Sequence, residues 1–267
     1  MKDNEHDSQR RFTELGYWDD YWKGARLPKR VERGHSASLD EILSALTRWV
    51  PTAPGSRALE VGGAPGAYLS FLMVDSGVQG SILDYSPIGC AASERNFELQ
   101  DLEVEVHQGD LFSDDLDIGR YDLVYSLGFI EHFGDLTDVM RRHVQLARPG
   151  GIVIVGCPNL RGINQWFLKR LAPELLATHN TDMMDPDTWV GFEQALGLEV
   201  LQRGQVGGFE PSVFNKVELD TREARFWRIV ARGLSLLARP GFFKRHNAWW
   251  FSHYVMAAYR VPGGDDL

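Results

Sequence analysis

The sequence predicts an α/β fold in which helices flank a mainly parallel sheet. Apolar runs with strand composition alternate along the chain with segments whose apolar residues recur every three or four positions, and this alternation is typical of parallel strands joined by right-handed crossovers. In addition, the strand-like run Arg57–Val61 stops at Gly62, Gly63 and Gly66, and a helical pattern then begins at Ala67. Such a strand, turn and helix leaves backbone atoms open to a ligand.

The helices of the first half are predicted from their caps and their apolar spacing. The segment Ser38–Glu41 has the capping-box pattern Ser-x-x-Glu, and the apolar residues of one helical face follow from it: Leu39, Ile42, Leu43, Leu46, Trp49 and Val50. We expect this helix to pack on the core and to end at Pro51–Gly55. Further along, Ser86 is an N-cap and Pro87 occupies the first helical position, which predicts a second helix from that point.

The remaining elements continue the alternation. Strands two to seven are expected at 81–84, within 104–112, and at 121–126, 152–156, 198–202 and 251–261. The three-and-four spacing of apolar residues predicts a helix between the fourth and fifth strands through Leu136, Val139, Met140, His143 and Ala147. The segment Asp185–Trp189 is expected to start the last helix of the core.

A nucleotide site is predicted at the glycine-rich turn. Asp84 ends the second strand, where a carboxylate can accept hydrogen bonds from a ribose diol, as in nucleotide-binding doubly wound sheets. The dinucleotide fingerprint G-x-G-x-x-G is matched poorly, because its positions hold Gly62, Ala64 and Ala67. A nucleotide-dependent oxidoreductase is therefore a competing interpretation that the missing third glycine and Glu60 oppose.

Further motifs follow in a fixed order. Glu60 ends the first strand, Asp110 follows the third, the fourth ends in Leu127–Phe133, and Leu146–Gly151 leads into the fifth. From about Leu59 to Val200 this series resembles the class I S-adenosylmethionine-dependent methyltransferases, whose motifs are E/D-x-G-x-x-x-G, an acidic end to strand two, G-D after strand three and L-x-P-G-G before strand five. The resemblance implies a Rossmann-like seven-stranded mixed sheet with an antiparallel seventh strand, and S-adenosylmethionine as cofactor.

The same resemblance implies roles for residues at the strand ends. Glu60 would orient the ammonium end of the cofactor, Asp84 would bind the ribose hydroxyls and Asp110 would accept from the adenine amino group. The other expected cofactor contacts are Gly62, Gly63, Gly66, Tyr85, Leu111, Ser126 and Leu127. For Asp84 and Asp110, a purely structural role as a helix cap or turn residue would explain the same pattern.

The chemistry needs few catalytic groups, since methyl transfer from a sulfonium depends mainly on positioning in a dry pocket. His132 is the candidate general base, because it follows strand four and histidine titrates near neutral pH. Packing or helix capping is the competing role for this residue. The pair Glu131 and His132 resembles a Glu-His pair that helps to hold a divalent metal in some quinone-pathway O-methyltransferases. No metal is predicted here, because the sequence identifies no companion acidic ligand.

Two segments are expected to shape a pocket for a small-molecule acceptor. The segment Leu15–Trp22 is rich in aromatic residues and resembles the N-terminal lids of small-molecule methyltransferases, although a staple that ties the N-terminal segment to the core would look the same. The second segment, 157–180, follows strand five. The candidate substrate contacts in the two segments are Tyr17, Tyr21, Trp22, Asn159 and His179, with Arg161 as a further polar candidate.

An insertion separates strands six and seven, because roughly fifty residues stand where a hairpin needs about two to five. In a helix, Arg222, Arg225, Arg228 and Arg232 share one face, and Phe226, Trp227, Val230, Leu234 and Leu237 share the other. Three interpretations stay open: a wall over the acceptor with Trp227 as a substrate contact, peripheral contact with an anionic membrane, or a helix packed by its apolar face with solvated arginines.

Composition limits the partners and the location. A net charge of −9 argues against a nucleic-acid substrate. Cys90 and Cys157 form neither a disulfide framework nor a zinc pattern. An apolar signal region and a window long enough to span a membrane are both missing, so the cytoplasm is expected. We expect an N-terminal cap or lid over 1–50, a core over 51–210, the insertion over 211–250 and a final strand and tail over 251–267.

The sequence thus predicts a cytoplasmic enzyme that methylates oxygen, nitrogen or sulfur of a small molecule, with secondary metabolism as the expected setting. A catalytically silent S-adenosylmethionine-binding module and a methyltransferase of a macromolecule would carry the same cofactor motifs. The acceptor and the oligomeric state do not follow from the sequence.

Overall fold

The structure is a computed structural model that describes residues 11–210, 222, 225–227, 229–230, 233 and 246–263. The described residues form a seven-stranded sheet with the strand order β3-β2-β1-β4-β5-β7-β6. Strand β7 is antiparallel to both of its neighbours, and the other pairs are parallel. The predicted mixed α/β sheet is therefore confirmed.

The strands are β1 Arg57–Val61, β2 Gln79–Asp84, β3 Glu105–Gln108, β4 Tyr121–Leu127, β5 Ala147–Pro158, β6 Glu199–Phe209 and β7 Ser252–Arg260. The helices are α1 Leu15–Lys23, α2 Ala37–Thr47, α3 Ala67–Ser76, α4 Pro87–Glu98, α5 Leu136–Leu146, α6 Gly162–Leu171, α7 Pro173–Ala177 and α8 Val190–Ala195. Short 3₁₀ turns lie at Ile130–His132, Thr181–Met184 and Pro186–Trp189.

Two apolar layers cover the two faces of the sheet. Successive strand residues point to opposite faces, so Leu123 belongs to one buried cluster and Val124 to the other. Helices α2, α3 and α4 contribute to the first layer through residues such as Phe97, and helices α5, α6 and α8 contribute to the second through residues such as Phe167. Helices on both faces leave the carboxyl ends of the parallel strands as the edge where ligands bind in such sheets.

Several element boundaries differ from the sequence prediction. The N-cap of α2 is Ser36, whose hydroxyl accepts from the Leu39 amide, so the predicted capping box at Ser38 is wrong. The Ser38 side chain is buried and hydrogen-bonds Nδ1 of His253 at 3.0 Å. Ser86 caps α4 as predicted, because its hydroxyl accepts from the Gly89 amide at 2.9 Å.

Strands β5 and β6 are longer than predicted, and the segment after β5 is helical at Gly162–Leu171. Strand β6 reaches Phe209 because its antiparallel pairing with β7 continues through two irregularities in register. Strand β5 begins at Ala147, which pairs with Tyr121. The division into cap, core, insertion and tail stays a prediction.

The described part of the insertion is helical at residues 225–227 and 229–230. Trp227 and Val230 pack against the apolar layer that contains Phe167, whereas Phe226 is 58% exposed. The expectations for Arg228, Arg232, Leu234 and Leu237 lie outside the described residues. Among the helices that the structure describes, none has the length and apolar content to span a membrane.

Candidate functional site

A cavity of about 40 Å³ lies at the carboxyl ends of β1, β2 and β4. Its walls come from the glycine turn, the ends of the strands and the N-terminal segment. The residues that line it are Arg11, Thr13, Trp18, Trp22, Val61, Gly62, Leu83, Asp84, Tyr85, Gly109, Asp110, Leu111, Gly128, Phe129, His132 and Phe133. The sequence motifs therefore meet at one place. The space is small beside typical ligand pockets of about 300–1,000 Å³, because side chains of the N-terminal segment extend into it.

The three glycines of the turn have different surroundings. A Cβ at Gly62 would lie 2.2 Å from the Phe129 ring, so backbone and ring are in close contact at the cavity wall. A Cβ at Gly63 would lie 2.1 Å from Cγ of Glu60. A Cβ at Gly66 would lie 2.3 Å from the Phe97 ring, inside the core. Among these glycines, only Gly62 lines the cavity.

Asp84 lies at the end of β2 and lines the cavity. Its Oδ1 accepts from the Ser86 amide at 2.9 Å and its Oδ2 from the Ala64 amide at 3.4 Å. Burial raises the pKa of this carboxyl to about 6. The carboxyl group thus joins the glycine turn to the start of α4 and faces the cavity as an acceptor.

Asp110 is paired with Arg11 of the N-terminal segment. The Arg11 guanidinium also lies over two aromatic rings, 5.4 Å from the ring centroid of Tyr85 and 5.4 Å from that of Phe112. The Arg11 guanidinium, a planar cation that donates hydrogen bonds, therefore occupies a slot formed by the Tyr85 ring, the Phe112 ring and the Asp110 carboxylate. Arg11 is not among the predicted site residues. Its partner Asp110 lies far along the chain, after β3, and no local sequence pattern indicates such a contact.

The N-terminal segment is held over the cavity by backbone contacts. Arg11 forms an antiparallel bridge with Phe133, and the Phe12 amide donates to the His132 carbonyl at 2.8 Å. Trp18 lies edge-on to the His132 ring, with centroids 5.0 Å apart. Trp18 lines the cavity, although only its neighbours were predicted as substrate contacts.

Glu60 lies beneath the glycine turn and outside the cavity lining. Its side chain is buried, and its carboxyl group lies beside the buried Tyr125 hydroxyl. Burial raises the pKa of the Glu60 carboxyl to about 8. Glu60 therefore does not border the cavity, and its carboxyl group packs against Gly63. Its expected role of orienting the ammonium end of the cofactor, through hydrogen bonds or water, stays a prediction.

The buried Glu60 predicts a pH dependence of stability. Its pKa is about 8 in the fold and 4.5 for an ordinary glutamate, so between these values the folded protein holds a proton that the unfolded chain has lost. The free energy of unfolding should therefore fall as pH rises from 4.5 to 8, by at most roughly 5 kcal/mol from this group. Urea denaturation at the two ends of this range should show a smaller fall for Glu60→Gln.

Glu103→Gln is the matched control, because Glu103 is exposed. It should follow the wild-type pH profile. If Glu60→Gln loses as much stability over the range as the wild type and this control, burial of Glu60 does not destabilise the ionised carboxyl.

Four further predicted contacts have other partners. The buried Ser126 hydroxyl is 3.0 Å from Nε2 of His143. The Asn159 side chain is buried and donates to the carbonyls of Trp249 and Ser252. Trp227 packs edge-on against Trp166, outside the cavity lining. The Leu127 side chain packs on the core, also outside the lining. For Ser126 and Asn159 a side-chain role in binding is therefore not supported.

The aromatic residues of α1 separate into two groups. Trp22 is buried and lines the cavity, whereas Tyr17 and Tyr21 are 40% and 55% exposed. Leu111, like Trp22, lies in the wall. The helix thus presents one aromatic residue of the predicted set to the cavity and leaves the two tyrosines at its outer side.

His132 lies in the cavity wall within the polar group Glu131, His132 and His179. Burial, and next the neighbouring His179, lower the pKa of the His132 imidazole to about 4. The ring is therefore neutral near pH 7 and is a weak base, which argues against the predicted role of His132 as general base in this state. The sequence did not foresee that His179 would lie beside it.

Comparisons with known proteins agree with this geometry. The sequence profile of a family described as "Methyltransferase domain" matches residues 32–203. A search of curated proteins gave no significant match.

Similar solved structures share the fold at low identity. They include a SAM-dependent methyltransferase from Geobacter sulfurreducens in complex with S-adenosyl-L-homocysteine, with 18% identity, a TM-score of 0.56 and coverage of 92% of this chain and 97% of that chain. The N-methyltransferase NodS from Bradyrhizobium japonicum WM9 has 14% identity, a TM-score of 0.56 and coverage of 94% and 100%. The [4+2]-cyclase SpnF has 14% identity, a TM-score of 0.60 and coverage of 88% and 87%.

Proposed function

We propose that this chain, which belongs to the methyltransferase-domain family, transfers a methyl group from S-adenosylmethionine to oxygen, nitrogen or sulfur of a small molecule. One observation carries the proposal. Gly62 of the glycine turn, Asp84 at the end of β2 and Asp110 after β3 lie apart in sequence but line a single cavity at the carboxyl edge of the sheet. That edge is where open α/β sheets bind nucleotides.

The slot around Arg11 fits an adenine ring. Its walls are the Tyr85 and Phe112 rings, and its acceptor is the Asp110 carboxylate. A guanidinium and an aminopurine are both planar and both donate hydrogen bonds in the plane, so the groups that hold Arg11 can also hold adenine. Binding of the cofactor would then require Arg11 to leave the slot.

The ribose and methionyl parts fit the remaining wall. Asp84 offers carboxylate oxygens to the ribose diol. Gly62 also lines the cavity, and because it has no side chain, its backbone is open to the ligand. S-Adenosylmethionine carries an ammonium and a sulfonium, and cations are favoured beside aromatic faces. Trp18 and Phe129 border the same cavity.

The chain contributes positioning and exclusion of water. Trp18, Trp22, Phe129 and Phe133 form an aromatic wall around the cavity, which favours a displacement reaction that starts from a desolvated cation. The acceptor atom attacks the methyl carbon, the sulfur–carbon bond breaks with its electron pair left on sulfur, and S-adenosylhomocysteine leaves. A proton is released to solvent when the acceptor is a hydroxyl, thiol or protonated amine.

The cavity and the charge of the chain favour a small acceptor. The site lies under a packed N-terminal segment, and the net charge of −9 disfavours nucleic acid. We further propose that the enzyme acts in secondary metabolism and in the cytoplasm. A nucleotide-dependent oxidoreductase is disfavoured, because alanine stands at two of the three glycine positions of its fingerprint, Ala64 and Ala67.

Calorimetry with purified protein tests the cofactor. We expect S-adenosylmethionine and S-adenosylhomocysteine to bind with micromolar dissociation constants, as is common for enzyme ligands, and NAD not to bind. Binding of NAD without S-adenosylmethionine would overturn the proposal. Incubation with methyl-labelled cofactor and a metabolite extract, followed by mass spectrometry, should then show a labelled small product.

A further inference from the structure

We propose that Glu131, His132 and His179 bind a first-row divalent metal ion at the wall of the cavity. The inference deepens the proposed function and rests on it, because the ion would contact the acceptor of the methyl group. One ligand atom from each of the three residues lies within 4.8 Å of the other two, and the two imidazole ring centroids are 4.6 Å apart. A small movement of these side chains can bring all three atoms to one ion.

Two distant parts of the chain are tied together to form the group. Glu131 and His132 lie in the 3₁₀ turn after β4, and His179 follows α7. The Asn180 amide donates to the Glu131 carbonyl at 2.7 Å, and Nδ1 of His132 donates to the Thr178 carbonyl at 2.9 Å. These reciprocal bonds hold the turn against the 178–180 segment, so the three side chains meet on a fixed backbone.

The hydrogen bonds of the histidines leave the correct atoms free. A carbonyl oxygen can only accept, so the bonds from Nδ1 of His132 to Thr178 and from Nδ1 of His179 to Leu175 place a proton on Nδ1 in each ring. In a neutral imidazole the lone pair is then on Nε2. Neither Nε2 has a hydrogen-bond partner among the residues that the structure describes. Metal-binding histidines typically have this arrangement, in which the second nitrogen donates to a carbonyl or carboxylate.

Glu131 supplies an unsatisfied acceptor. Its side chain is 1% exposed, and its Oε2 atom has no hydrogen-bond partner in the described part of the chain. A buried carboxyl oxygen without a partner is costly, and such groups are normally protonated, paired or bound to a metal. A divalent ion beside the two imidazoles would satisfy this oxygen and offset the cost of its burial.

The donor set indicates the class of metal. Two imidazole nitrogens and one carboxylate oxygen suit zinc, cobalt, nickel, iron(II) and manganese, whereas magnesium and calcium prefer oxygen ligands alone. Three protein ligands leave at least one coordination position open. Because His132 lines the cavity, we expect that position to face the acceptor.

A metal ion at this place would favour acceptors whose nucleophilic atom is an oxygen. An acceptor hydroxyl bound to the ion loses its proton to solvent more easily, and the resulting oxygen attacks the methyl carbon while the sulfur keeps the electron pair of the broken bond. No atom is oxidised or reduced. The inference therefore favours an oxygen acceptor, such as a phenol, an enol or a hydroxy acid.

Titration with cobalt(II) tests metal binding without turnover. The protein, stripped of metal with a chelator and dialysed, should bind one equivalent of cobalt(II) and develop visible d–d absorption bands. His179→Ala and Glu131→Gln should each weaken binding by at least about tenfold, because each removes one of three ligands. His35→Gln is the matched control, since His35 is exposed and lies outside the group, and it should bind like the wild type.

The same samples separate this inference from the proposed function. Near-ultraviolet circular dichroism and calorimetry with S-adenosylmethionine report folding and cofactor binding; if His179→Ala is unfolded, His179→Gln replaces it. Equal cobalt affinity in wild type and in the two ligand variants, or absence of the bands in the wild type, overturns the metal site. Loss of cofactor binding in the wild type, with the cobalt bands intact, overturns the proposed function alone.

Discussion

Replacing Gly66 with valine is expected to lower the free energy of unfolding by about 3–5 kcal/mol. Gly66 has a φ of +81° at the N-cap of α3, a conformation that a β-branched residue rarely adopts. In addition, a Cβ at this position would lie 2.3 Å from the Phe97 ring and 2.7 Å from Cδ1 of Ile82. Both neighbours are buried in the core, so they cannot move aside without loss of packing. Urea denaturation at neutral pH measures the effect.

Gly77→Val is the control, because Gly77 ends the same helix with a φ of +70° and has no atom within 4 Å of a Cβ. It carries the backbone strain without the steric overlap, so a cost of about 1–2 kcal/mol is expected. If Gly66→Val costs no more than Gly77→Val, the contact with Phe97 does not constrain this position.

The difference between these two glycines shows what the sequence could establish. A glycine after a strand and before a helix predicts a turn, since the signal is local. Which way a side chain would point is a tertiary property. Gly66 was expected to border the ligand, whereas the structure directs its missing side chain to Phe97.

The fold itself was predictable because its signals are short-range. Strand ends, the Ser86 cap and the acidic residues at the end of β2 and after β3 can be predicted from neighbours in sequence, and parallel strands then bring those ends to one edge. The strands that differ most from the prediction are β5 and β6. β6 and the end of β5 extend further because they pair with β7, and β5 begins earlier because Ala147 pairs with Tyr121 of β4; no local pattern encodes these pairings.

The less predictable parts of the site depend on contacts between distant segments. Arg11 reaches Asp110 across the sequence, and His179 reaches His132 through the path of α6 and α7. Asn159 and Ser126 look equally suitable in sequence, but their side chains bond to Ser252 and His143. A polar residue in a loop or at the end of a strand is compatible with either outcome.

Asp84→Asn is expected to weaken S-adenosylmethionine binding by about 10–100-fold, with the dissociation constant from calorimetry as the measurement. Removal of a charged acceptor for two ribose hydroxyls should cost on the order of 1.5–3 kcal/mol. Asparagine keeps the size of the side chain and one acceptor oxygen, so the bond from the Ser86 amide can persist. Asp115→Asn, at an exposed position outside the cavity lining, should bind like the wild type.

The same variant decides between the two roles that the sequence left open for Asp84. Its carboxyl group accepts from the amides of Ala64 and Ser86, so a purely structural role as a turn residue is physically reasonable. In that case Asp84→Asn would lower the free energy of unfolding and leave the cofactor affinity of the folded protein unchanged. If Asp84 binds the ribose, the opposite pattern is expected. Burial raises the pKa of this carboxyl to about 6, so the ionised group destabilises the ligand-free fold at neutral pH. Asp84→Asn should then weaken cofactor binding, while the free energy of unfolding at neutral pH stays equal or rises.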